Sequence, residues 1–164
     1  MMSGMIWVPR RKHLYVPPEG SAWPFEQRLK HPHTGAEIYG VLPPITHAKQ
    51  TIFMGGDIVL RYGKHVGNQH SQNGFGFRHI WARRFFHISE HASAMIAVTE
   101  FVAGIIRPGT IVYWEDGTRA AIFCSTNGQV IVEERGNFDN PFYSVITAIK
   151  QPVKPKGSRL GALG

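Results

Sequence analysis

A single cysteine, Cys124, in 164 residues excludes an intrachain disulfide, so packing must hold the fold together. Its setting, AAIFCS, predicts a buried strand position rather than a nucleophile. No apolar run approaches the roughly 20 residues of a membrane-spanning helix, and membrane insertion is not expected. The N-terminal MMSGMIWVPRRKH lacks the apolar core and cleavage site of a secretory signal. The expectation is a protein of the cytoplasm, or one delivered to a target-cell cytoplasm by a non-classical route. No G-x-G-x-x-G precedes a helix, since Gly74 and Gly76 do not continue the pattern. No dinucleotide is implied, and no cofactor is expected. Acidic residues are also scarce: 11 Asp and Glu stand against 18 Lys and Arg, a net charge of +7. The surface field therefore favours an anionic partner.

What the chain does have is enough apolar residue, 43%, to bury a core at single-domain length. Residues 1–50 are punctuated by proline (VPRRKH, YVPPEG, AWPFEQ, KHPHTG, VLPPITH), which removes donors and fixes φ. They predict an extended arm, anchored by Trp7, Tyr15, Trp23, Phe25 and Tyr39. Residues 51–150 form the expected domain. Residues 151–164, QPVKPKGSRLGALG, read as a flexible basic tail.

Within the domain, SEHASAMIAVTEFVAGII predicts a helix from Ser89, its N-cap, to about Ile106, with Ala92, Met95, Ile96, Thr99, Val102 and Ile106 on one face. Strands follow at 110–115, 118–125, 129–135 and 142–149, the first three joined by Asp116-Gly117 and Asn127-Gly128 turns. The fold class is α+β: an N-terminal arm and a helix packed on an antiparallel β-meander of four or more strands. Two-residue turns would pair Trp114 with Arg119, Tyr113 with Ala120 and Cys124 with Ile131. One face would then carry Ile111, Tyr113, Ala120, Ile122, Cys124, Ile131, Glu133 and Arg135; the other would carry Val112, Trp114, Arg119, Ala121, Phe123, Val130, Val132 and Glu134. Strict alternation puts Tyr143 and Thr147 on the same side. Which face the helix covers stays open.

His87-Ile88-Ser89-Glu90-His91 spells the H-x-x-E-H of inverted zinc proteases. That chemistry needs both histidines on one helix face and a third protein ligand. His87 falls before the expected helix start, and no third ligand is evident. His87 is better read as a boundary residue and His91 as a solvated first-turn residue, with no metal site assigned.

The segment LRYGKHVGNQHSQNGFGFRHIWARRFF, 60–86, interleaves glycine, histidine, base and aromatic residues. Glycines let backbone N–H groups approach phosphate, cations neutralise it, and rings stack on bases. A plain solvated basic loop is the alternative. GFGFRHIWARR, the helix-then-hairpins order and FYSVITAI together resemble the Barnase/EndoU/colicin/RelE-like ribonuclease superfamily, in its phage and polymorphic-toxin versions, over about residues 57–150. Where that pattern often has a second histidine, this chain has Arg84. Either Arg84 substitutes, or His87 serves, or activity is lost.

The resemblance implies metal-independent RNA cleavage by the ribose 2′-OH, leaving a 2′,3′-cyclic phosphate. His79 would be the acid–base group, with Arg84 and Arg135 stabilising the phosphorane and Thr147 and Ser144 orienting the phosphate. Glu133 is an alternative base. Lys64, His65, Arg78, Arg83, Arg119 and Tyr143 would bind the surrounding RNA. The implied partners are RNA, with tRNA among the candidates, and an acidic immunity or antitoxin protein. The alternative is a non-catalytic nucleic-acid-binding or structural module of a phage or secretion system.

Overall fold

The computed structural model describes the backbone at 6–7 and 15–16 and the whole of residues 23–164. Its strands are β1 Ile6–Trp7, β2 Tyr15–Val16, β3 Gly40–Leu42, β4 Ile45–His47, β5 Gln50–Phe53, β6 Gly56–Val59, β7 Lys64–Val66 and β8 Asn73–Phe75, then β9 Ile111–Asp116, β10 Arg119–Cys124, β11 Gly128–Asn137, β12 Asn140–Ile149 and β13 Arg159–Ala162. Two helices, α1 Gly76–Arg84 and α2 His91–Ile105, lie between β8 and β9. No helix among the described residues is long and apolar enough to cross a membrane.

The fold is α+β, but the sheet is larger than a meander. Seven strands run in the order β13-β9-β10-β11-β12-β6-β3. The four consecutive strands β9 to β12 are the expected antiparallel part; β12 then pairs with β6 in parallel, which makes the sheet mixed. The stretch read as an arm supplies edge strand β3 and the buried Leu29, Tyr39 and Leu42. The stretch read as a flexible tail supplies the opposite edge, β13, and buries Leu163. Trp23 packs edge-on against Tyr62 as an anchor, whereas Phe25 is exposed. The side chains of Trp7 and Tyr15 lie outside the described residues.

Helix α2 is apolar on nearly every side, burying Ala94, Met95, Val98, Val102 and Ile105. It covers the sheet face that carries Val112, Ala120, Ile122, Val130, Val132, Tyr143, Val145 and Ala148, and together they form the main core. Burying side chains of this size contributes about 1.5–3 kcal/mol each. The N-cap is Glu90, one residue later than the expected Ser89, and no side chain caps the helix.

The expected faces need two corrections, and the first concerns β10. Its first turn is Gly117-Thr118, because Asp116 still pairs with Arg119, and the register shifts between Arg119 and Ala120. Its second turn has three residues, 125–127, so Cys124 opposes Gly128. Each departure changes the pairing by an odd number of residues. Since side chains alternate with a period of two, β10 flips relative to both neighbours. Ala120, Ile122 and Cys124 therefore join Val112, Trp114, Val130 and Val132, while Arg119, Ala121 and Phe123 join Ile111, Tyr113, Ile131 and Glu133. A bulge between β11 and β12 pairs Ile131 with Thr147 but Val132 with Val145, which turns Thr147 away from Tyr143 and onto the face of Ser144.

Candidate nucleic-acid interface

Helix α1 was not foreseen in the glycine-rich segment. Its first N–H groups are satisfied by backbone, Phe77 N–H by Arg61 O at 2.9 Å and Arg78 N–H by Tyr62 O at 2.9 Å. This close approach needs Gly63 and Gly76, both at positive φ: a Cβ on Gly63 would stand 1.8 Å from Phe75 O. The helix runs beside β12, and Arg84 Nε–H donates to Ala148 O at 2.7 Å near its far end. Burial, then the charge of Arg83, lowers the Arg84 pKa.

On this helix His79 is 1% exposed and meets His65 of β7, Nδ1 to Nδ1, at 2.8 Å. Hairpin partner Gly74 stands directly opposite His65 and makes the room, since a Cβ there would lie 2.6 Å from His79 Nδ1. The second nitrogen of His65, Nε2, lies 2.7 Å from Asn68 O. A carbonyl only accepts, so His65 Nε2 carries a proton. With His65 neutral, its Nδ1 is then the acceptor, His79 Nδ1–H is the donor, and His79 Nε2 holds the lone pair. Among the described residues no hydrogen bond engages that nitrogen. Burial, followed by His65, Arg83 and Arg84, depresses the His79 pKa to about 4. The ring is neutral at pH 7.

The pair can also pass a proton. If His79 Nε2 gains one, its Nδ1 proton can cross to His65 Nδ1. The positive charge then rests on the more exposed ring, where water solvates it better.

A second group of charges occupies the sheet face opposite α2. Glu133 lies between two arginines, 2.7 Å from Arg119 Nε and 2.8 Å from Arg135 Nη2. Across β12, the partner of Glu133 is Ser144, fully buried, whose Oγ accepts from Arg61 Nε at 2.7 Å. Arg61 in turn pairs with Glu26 at 2.6 Å and lies over the Phe75 ring at 4.1 Å. Arg28 lies over Phe142 at 4.7 Å. Sequence reasoning missed Arg28 and Arg61. Arg61 had a weak signal, a lone cation closing the apolar run DIVL, but the reading of 60–86 as one loop hid its place beside a strand.

The expected site residues thus divide. Arg119, Arg135, Glu133, Ser144 and Thr147 share the sheet face opposite α2. Thr147 Oγ1, however, is buried without a partner, as is Nη2 of Arg61. His79, His65, Arg83 and Arg84 form the other group, and no hydrogen bond joins it to Arg119, Arg135 or Thr147. Tyr143 belongs to neither: it lies on the core face, fully buried, donating to Glu134 at 2.5 Å and accepting from Gly55 N–H at 3.1 Å. Burial raises its pKa. Lys64 is exposed near Phe25, and Arg78 is exposed on α1.

His91 also departs from expectation. Instead of standing in solvent, it packs among Tyr62, Phe77 and Trp81 and shares a 2.9 Å hydrogen bond with the Tyr62 hydroxyl, because α2 closes over the first helix. His87 is exposed against Phe86. Among the described residues no cluster of His, Cys, Asp and Glu is arranged to hold a metal ion. Cys124 ends a strand as expected but is only half-buried, and hydrogen bonds from Thr126 lower its thiol pKa.

Comparison with protein-family models, with curated proteins and with solved structures finds no match to this chain.

Proposed function

We propose that this protein is a metal-independent endoribonuclease acting as a toxin or effector. The observation that carries the reading is the His65–His79 pair, whose one unengaged nitrogen, His79 Nε2, is held neutral beside Arg83 and Arg84. In this scheme the ribose 2′-OH gives its proton to His79 Nε2, and the His79 Nδ1 proton moves to His65. The 2′-oxygen attacks phosphorus as the bond from phosphorus to the 5′-oxygen breaks. The 5′-oxygen leaves with a proton from His87 or water, and the product is a 2′,3′-cyclic phosphate. Arg83 and Arg84 offset the charge gained by the phosphorane. The arginines of the sheet face hold flanking phosphates. An acidic immunity protein would be steered to the same cations.

Incubating the purified chain with total RNA in excess EDTA tests this. Cleavage that falls about 10²–10⁴-fold in His79→Ala is the expected result. Equal cleavage by the variant, or none by wild type, overturns it.

One observation favours the alternative, a non-catalytic nucleic-acid-binding module. Arg61, Arg84, Arg119 and Arg135 all have protein partners already, as structural cations do. Salt-sensitive RNA binding without turnover would support it.

A further inference from the structure

Beside α1, between β7 and the segment that connects α1 to α2, lies a concavity of about 340 Å³ lined by His65, Arg78, Trp81, Ala82, Phe86, Ile88 and Ser89. Its volume falls within the lower range of ligand pockets, about 300–1,000 Å³. Arg78, Trp81 and Ala82 are three and four residues apart, so they stand on one side of α1. The small Ala82 leaves the space that the aromatic residues frame. Trp81 is held firmly: its Nε1–H donates to Ile88 O at 2.8 Å, and its ring stacks on Phe77 with 28° between planes. Phe86 is the opposite case, 59% exposed although large and apolar, and among the described residues its ring meets only that of His87. The guanidinium of Arg78 and the hydroxyl of Ser89 are both exposed at the rim.

Flat aromatic walls, an exposed cation that leans over the Tyr62 ring at 5.9 Å with no acidic partner in contact among the described residues, and a hydroxyl together match a ligand with a π-face, an edge of donors and acceptors, and an attached anion. A carboxylate side chain would satisfy Arg78 but leave Phe86 in water. Inorganic phosphate would do the same. A nucleotide meets all three requirements, because a base gains from stacking whatever its identity. The larger cavity beside Arg107 and Cys124 also holds Tyr113 and Phe123, but these rings meet edge-on at 82° and Tyr113 is buried, so neither stands out as Phe86 does.

We propose that this concavity is a nucleotide subsite that seats one base of the RNA against Phe86, with Arg78 on that nucleotide's phosphate. The assignment rests on the RNA reading above and adds where a base is recognised. It also places His65 in the wall of the subsite, so a bound nucleotide sits beside the proton-sharing pair.

The experiment is a titration of the full chain with 3′-AMP, 3′-UMP and inorganic phosphate, followed by the Trp81 indole N–H in ¹⁵N-resolved NMR. Trp81→Phe identifies that signal. Either nucleotide should move it at low salt while phosphate leaves it in place. Phe86→Ala, at an exposed position, should weaken nucleotide binding by about fivefold or more. Equal effects of phosphate and nucleotide, or unchanged affinity in Phe86→Ala, would overturn the subsite. The EDTA cleavage assay is read separately. Nucleotide binding at Trp81 without RNA cleavage keeps the subsite and removes the ribonuclease reading; RNA cleavage with an unmoved Trp81 signal does the reverse.

Discussion

Arg61 Nε–H donates to Ser144 Oγ across 2.7 Å, joining the start of the glycine-rich segment to the last long strand. The two residues are 83 apart in sequence, and both are buried. Removing Ser144 Oγ strands a buried guanidinium N–H. Ser144→Ala should therefore cost ~1–3 kcal/mol of stability. Glu26, whose side chain is 73% exposed, holds the same arginine from the solvent side, and Glu26→Ala should cost less than ~1 kcal/mol. Urea unfolding of both variants checks the order. Equal stabilities would mean that the Ser144 contact does not matter to the fold.

The His79 ring links stability to pH. Its folded pKa, about 4, lies below the ordinary histidine value of 6.5, mainly through burial. The unfolded chain therefore takes up a proton that the folded chain refuses between those values. Its contribution is complete above pH 6.5 and is lost as pH falls toward 4. Burial lowers His31 and His91 in the same direction. Urea midpoints measured from pH 4.5 to 7.5 should rise with pH for wild type and rise less for His79→Gln. An equal slope in the variant would show that His79 is not a source of the dependence.

Glu133 neutralises two arginines at once. Glu133→Gln would free both, so RNA binding should tighten and its dependence on salt steepen. Arg135→Ala should weaken binding to all sequences alike and reduce the salt slope by about one. Filter binding across a salt series reads both. No change in either variant would remove the sheet face from the interface.

Gly74 makes room for the histidine pair. Gly74→Ala would set a methyl 2.6 Å from His79 Nδ1 and 2.3 Å from Lys64 O, at a φ of +150°. The variant should be less stable by more than ~1 kcal/mol. The shared proton should also vanish from the histidine region of the NMR spectrum. A retained His65–His79 coupling would show that the hairpin can yield.

Some of this was legible in the chain alone. Helix α2 and the four strands of the meander announce themselves through local periodicity and β-branched content, which need no knowledge of distant residues. Glu133 and Arg135 on one face followed from alternation along a single strand, whereas the β11–β12 register alone brought Ser144 beside them. Helix α1 did not announce itself, because GFGFRHIWARR mixes glycine and charge and mutes the 3.6-residue pattern. It stands because Arg61 and Tyr62 carbonyls receive its first N–H groups.

The amino-acid order by itself determined the α+β class, the basic surface, the absence of a disulfide and the consecutive strands, since each depends on composition or on neighbours a few residues apart. Tertiary structure alone decided that Arg119 turns to face Glu133, that a proline-rich stretch and a basic C-terminal stretch become the two edges of the sheet, and that His65 meets His79. The physical reason is that a side chain's direction changes with every residue along a strand. One extra residue at a turn or bulge reverses a face, and only the packed core selects which turn is made.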